Sequence, residues 1–178
     1  EIDQYCQLEQ EQAALYQTTM DQIMEQIEKS EDITRRGLVL KLITALKQIC
    51  NHPSHFLKRK SLNAEKSGKT ELLIELMSNM AANEEKLLIF TQFTQMGDLL
   101  QKLIGEKFGL EPLFLHGGLT RRKRDQMVDD FQQKTYVKTM ILSLKAGGTG
   151  LNLTSAQNVV HFDLWWNPAV EAQATDRA

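Results

Sequence analysis

The sequence predicts an α/β fold: a parallel sheet with helices on both faces, entered through an N-terminal helical extension. Three observations point to it. In the last two thirds of the chain, short apolar runs alternate with amphipathic segments of crossover length. Those runs are nearly continuous in Val, Ile, Leu and Phe, which marks strands buried on both faces. The first fifty residues, by contrast, carry only helical spacing.

Taken in order, Tyr16, Met20, Ile23 and Ile27 recur in steps of three and four and predict a helix from Leu8 to Ile27. Leu38, Leu42, Ala45 and Ile49 predict a second, with the charged stretch "EKSEDITRRG" as the break between them. The helical prelude ends near Cys50, and in "NHPSHF" Pro53 pushes His52 out of helical geometry. A charged linker follows, dividing the chain into residues 1–66, extension and linker, and residues 67–178, the α/β lobe. The lobe opens on a helix over Gly68–Ala82, with Ser67 as N-cap and Glu71 in the first turn. Four candidate strands come next: "KLLIFTQF", "EPLFLHGG", "KTMILSLKAGGTG" and "AQNVVHFDLWW". Helices over Gln95–Phe108 and Thr120–Gln132 join them, and a last helix starts at Pro168.

In a parallel sheet, ligands bind outside the carboxyl ends of the strands. The residues there are Thr91-Gln92-Phe93, His116-Gly117-Gly118, Ser143 through Gly150, and Asp163 through Pro168. Small, polar and glycine residues gather on one rim, which is where the chemistry is expected.

Composition sets outer bounds. A chain of 178 residues with 42% hydrophobic and 25% charged residues fits one domain plus an extension. No run approaches the roughly 18 apolar residues of a membrane span, and "EIDQYCQLEQEQ" is too polar for a signal peptide, so an intracellular protein without membrane contact is expected. Cys6 and Cys50 make no disulfide framework. The net charge of −2 means that any nucleic-acid contact must come from a local patch.

Five stretches bear on chemistry. Ser67-Gly68-Lys69-Thr70 spells the end of a phosphate-binding P-loop, G-x-x-x-x-G-K-[ST]. That cradle needs another glycine five residues before Gly68 and a buried strand feeding it; position 63 is Asn and a charged connector lies upstream, so a capped helix start is expected here. In "SLKAGGTGLNLT", Gly147, Gly148 and Gly150 let the backbone approach a ligand, and successive N–H groups backed by Lys145 suit a phosphate. A purely structural strand-to-helix turn reads equally well. In "WWNPAVEAQATDRA", Asn167 can cap and Pro168 takes the first helical position, which puts Gln173 and Arg177 on one face, either toward a nucleotide γ-phosphate or in a solvated terminal helix. Arg121, Arg122, Lys123 and Arg124 open a helix whose dipole opposes them; their partners are DNA phosphates or, the favoured reading, Asp125, Asp129 and Asp130. Cys50, His52 and His55 supply only three ligands without the paired spacing of a zinc site, so no metal is expected there.

Together, and in order, these strings resemble the C-terminal RecA-like lobe of SWI/SNF-type ATPases, the DNA translocases of helicase superfamily two. "ALKQICNHP", "SGKTELL", "LLIFTQF", "LHGGLTRRKRDQMVDDF", "ILSLKAGGTGLNLT" and "DLWWNPAVEAQATDRA" carry the likeness, the third resembling motif IV, the fifth motif V and the last the start of motif VI. The resemblance implies that Thr91, Gln92, His116, Gly117, Ser143, Lys145, Ala146 and Gly147 contact duplex DNA phosphates. It implies that Asp163 and Trp166 couple this grip to the cleft, and that Gly148, Gly150, Gln173 and Arg177 face ATP. ATP and Mg2+ would be held mainly by an N-terminal RecA-like lobe outside this chain, and a second motif VI arginine would lie beyond Ala178. Lys145 stands where many relatives carry Arg, keeping the charge and losing the bidentate fork. A chain of this kind hydrolyses no ATP alone. The second lobe of an RNA helicase and a non-catalytic interaction domain are the rival readings.

Overall fold

A computed structural model describes residues 2–143, 151, 153–165 and 175. The chain forms two compact units, Glu1–Leu73 and Ile74–Ala178.

The first unit contains α1 (Gln10–Glu28), α2 (Asp32–Asn51), the short α3 (Pro53–Phe56), a 3₁₀ turn (Ala64–Lys66) and the start of α4 (Gly68–Ala82). Ile23, Ile27 and Leu42 form the buried seam, with Leu38 and Leu46 packed against it. The buried stripe of α1 runs through Gln12, Thr19, Ile23 and Ile27, whereas Met20 is exposed. Gln12 earns its burial by donating its side-chain amide to the carbonyls of Ile49, at 2.8 Å, and Cys50, at 3.2 Å, at the end of α2. The charged break is shorter than expected: α2 starts at Asp32, because Arg35 and Arg36 sit on an exposed helix face where charge costs nothing. His52 leaves the helix in extended geometry (φ −172°, ψ 143°), as the following proline requires.

The second unit is built on β1 (Leu87–Thr91), β2 (Leu113–Leu115), β3 (Thr139–Ser143) and β4 (Asn158–His161). All pairings are parallel, in the order β2-β3-β1-β4. Each strand falls inside its expected apolar run, and β1 is buried throughout. Between β1 and β2 runs α5 (Thr94–Phe108), which ends on Gly109 at φ 78°, the left-handed cap that glycine takes without strain. A Cβ on Gly97 of this helix would collide with the Phe114 ring, so glycine there sets how closely α5 approaches β2. Between β2 and β3 runs α6 (Arg121–Gln133), which buries one residue completely, Phe131. Phe131 packs with Leu88, Phe90, Leu115, Met140, Leu142 and Leu153 in the core that fixes the sheet.

Candidate functional site

Because the four strands are parallel, their C-termini share one edge, and the register sets the neighbours there. Thr91 closes β1 directly beside Ser143, which closes β3. On the other side of β1, the chain leaving β4 brings Asp163 to the same place. The Thr91 hydroxyl donates to one Asp163 oxygen at 2.5 Å, and the Gln92 backbone N–H donates to the other at 2.7 Å. The Gln92 side-chain amide donates to the Leu164 carbonyl, and the Phe162 N–H donates to the Phe90 carbonyl at 2.9 Å. Asp163 is 3% exposed, so its carboxylate depends on these donors for the hydrogen bonding that water would supply. The result is a clasp between the ends of two strands.

The expected site residues are thus brought together unevenly. Thr91, Gln92, Ser143 and Asp163 meet on one edge. His116 and Gly117 follow β2, two strand spacings from β1, or roughly 10 Å across the rim. His116 packs its ring against Phe114 at 4.9 Å, and its Nδ1 accepts from the Gly118 N–H. Thr91 and Ser143 are both buried, at 0% and 2% exposure, so neither offers a ligand much side-chain surface. The Thr91 hydroxyl is engaged by Asp163. Lys145, Ala146, Gly147, Gly148, Gly150, Trp166, Gln173 and Arg177 lie outside the described residues.

Sequence reasoning missed His161. Its ring stacks on Phe90 at 5.3 Å, and Nε2 lies 2.9 Å from the Thr175 hydroxyl, joining the end of β4 to Thr175. A polar residue closing an apolar strand was the available signal.

The other motifs resolve differently. At "SGKT", the Ser67 hydroxyl donates to the Asn51 carbonyl at 2.8 Å instead of capping α4, while its own carbonyl accepts from the Thr70 and Glu71 N–H groups. Thr70 donates to the carbonyls of Ala64 and Ser67, and Lys69 to the Asn51 side chain. A Cβ at Gly68 would stand 2.6 Å from the Gln7 carbonyl oxygen, so glycine is needed for a crossing chain and not for a phosphate. Both ring nitrogens of His52 are occupied by the backbone: Nδ1 accepts from the Ser54 N–H and Nε2 lies 2.8 Å from the Asn63 carbonyl. Burial lowers the His52 pKa and holds that of His55 at about 4, so both rings are neutral in the fold at pH 7. In the basic run at α6, the expected aspartate partners are largely absent. Arg121 reaches only Asp125, at 3.9 Å on an exposed face, and Asp130 serves Lys134 and Gln126 instead.

At the opposite edge of the sheet, where the strands begin, a cavity of about 400 Å³ is lined by Met77, Ile104, Phe108, Leu113, Tyr136 and Val137 among others. None of the expected site residues among those described lines it.

A parallel four-stranded sheet with helices, preceded by a helical N-terminal part, is the RecA-like α/β fold. The chain belongs to the helicase conserved C-terminal domain family, whose model matches residues 68–178, and it is of the SWI2/SNF2 type. It is similar to the C-terminal domain of the Sulfolobus solfataricus SWI2/SNF2 ATPase, with TM-score 0.87 and 40% identity over 95% of this chain and 74% of that one. The same ATPase core in complex with double-stranded DNA matches with TM-score 0.87 and 38% identity, covering 97% of this chain and 36% of that chain. In sequence it is 47% identical over its whole length to a putative ATP-dependent helicase/translocase of Bacillus subtilis, YwqA, and spans 19% of that protein. The Arabidopsis thaliana ATP-dependent DNA helicase DDM1 is 32% identical over 80% of this chain, which covers 20% of its length.

Proposed function

We propose that this chain is the second motor lobe of an ATP-dependent double-stranded-DNA translocase or remodeller. Residues 1–66 serve as its helical extension and 67–178 as the lobe proper. The observation that carries the reading is the Thr91–Asp163–Gln92 clasp, because it ties the end of β1 to the chain that follows β4. A ligand pulling on the β1 end is thereby connected to the segment expected to face ATP.

In this mechanism Thr91, Gln92, His116, Gly117, Ser143, Lys145, Ala146 and Gly147 hold one DNA strand by its phosphates, with no readout of sequence. Thr91 also bonds Asp163, which orients Gln92 and the start of α5. Gly148 and Gly150 leave room for ATP held mainly by the N-terminal lobe, Gln173 and Arg177 approach its γ-phosphate, and Trp166 relays closure of the cleft. Arg177 stabilises charge on the transferring phosphoryl group, a role worth on the order of 10³–10⁵ in rate in other phosphoryl-transfer systems. ATP and Mg2+ are assigned mainly to the N-terminal lobe.

The test is ATP turnover by the full-length protein with duplex DNA, single-stranded DNA and RNA at matched salt. Duplex DNA is expected to stimulate most. Stronger stimulation by RNA would favour an RNA helicase, and no turnover under any condition would favour an interaction domain. Arg177→Ala should abolish turnover while nucleotide binding persists; full turnover would remove its assigned role.

A further inference from the structure

The chain carries a net charge of −2, yet residues 116–124 hold four cations, Arg121, Arg122, Lys123 and Arg124, and no carboxylate. These cations are not used alike. The Arg124 guanidinium is half-buried and turned back on the rim loop, donating to the Leu119 carbonyl at 3.1 Å and the Gly117 carbonyl at 3.4 Å. This ties the first turn of α6 to the segment that follows β2. Arg121, Arg122 and Lys123 are exposed, and among the described residues their ion pair is the 3.9 Å contact of Arg121 with Asp125, whose side chains are 97% and 65% exposed. Of the first-turn N–H groups, that of Lys123 is capped by the Thr120 hydroxyl. Three cations crowded at the positive end of a helix dipole repel one another and that dipole. An anionic partner would relieve all of that repulsion together.

We propose that Arg121, Arg122 and Lys123 form a further phosphate contact for duplex DNA, continuing along the rim from His116 and Gly117. This rests on the reading of the lobe as a DNA motor and extends its footprint beyond the strand-end residues. A polyanion fits better than a single small anion: three adjacent side chains without a concave pocket can each take a separate phosphate along a strand. Their contribution is therefore independent of base sequence and steeply dependent on salt.

Duplex affinity of the full-length protein, measured by fluorescence anisotropy between 50 and 200 mM salt, tests this. Each phosphate contact adds about 0.9 to the slope of log K against log salt, so R121Q/R122Q/K123Q should lower the slope by roughly 2.7. The wild type's advantage over this variant should then shrink about 40-fold across that range. K102Q/K107Q, on α5, should leave the slope unchanged, and should the triple variant fold poorly, R122Q and K123Q singly should each lower it by about 0.9. A variant slope equal to that of the wild type would overturn the inference while leaving the motor reading intact. Absence of duplex binding by the wild type itself would overturn both.

Discussion

Asp163, two residues beyond β4, accepts hydrogen bonds from the Thr91 hydroxyl and the Gln92 N–H, so two segments 72 residues apart in sequence share one buried carboxylate. Removing the carboxylate leaves a buried hydroxyl and a backbone N–H without an acceptor, each worth about 1–3 kcal/mol. Asp163→Ala should therefore lose roughly 3 kcal/mol in urea unfolding. Thr91→Val, which keeps the shape and removes one donor, should lose about 1–2 kcal/mol. If both variants unfold within about 0.5 kcal/mol of the wild type, the clasp does not hold the rim.

The glycine and the lysine of "SGKT" should separate cleanly. Gly68→Ala places a methyl group 2.6 Å from the Gln7 carbonyl oxygen and should cost about 1–3 kcal/mol through displacement of the N-terminal segment. Lys69→Ala loses one part-buried hydrogen bond to Asn51, about 0.5–1.5 kcal/mol, and should leave the affinity of the full-length protein for a fluorescent ATP analogue nearly unchanged. A tenfold weakening of that affinity would restore this motif as a nucleotide site.

Acid should weaken the first unit through its histidines. Burial lowers the pKa of His55 to about 4 from an ordinary value of 6.5, and that of His52 in the same direction. The unfolded chain then binds more protons than the fold, so this contribution is fully present above pH 6.5 and is lost as pH falls toward 4. For His55 the loss amounts to about 3 kcal/mol. Urea midpoints at pH 7, 6 and 5 should fall accordingly, and His55→Gln should flatten the dependence. An unchanged dependence in that variant would clear His55 of the role.

Phe131 is the one fully buried side chain of α6, and Phe131→Ala should cost about 3–5 kcal/mol, read as a lower melting temperature. A loss under about 1 kcal/mol would mean that α6 is held to the sheet by other contacts.

The 178-residue chain by itself should hydrolyse no ATP, with or without duplex DNA, because the true P-loop is assigned to another lobe. DNA-stimulated turnover by the purified chain, at one site per molecule, would refute that assignment.

By itself, the sequence determined the strands, their parallel arrangement and the edge on which to look for chemistry. Runs such as "KLLIFTQF" can be buried only between two helical layers, and ligands then meet the strand ends. It also argued against a P-loop at "SGKT", since a missing glycine and a missing strand are local facts. The order β2-β3-β1-β4 and the meeting of Asp163 with Thr91 and Gln92 were decided only in three dimensions. Nothing local distinguishes a buried carboxylate from an exposed one when its donors are 72 positions away. The same holds for Gly68, whose constraint comes from Gln7, and for Arg124, whose guanidinium turns to the Gly117 and Leu119 carbonyls while its three neighbours remain in solvent. Periodicity reports which face of an element is apolar; which polar groups must find each other depends on contacts that only the closed fold creates.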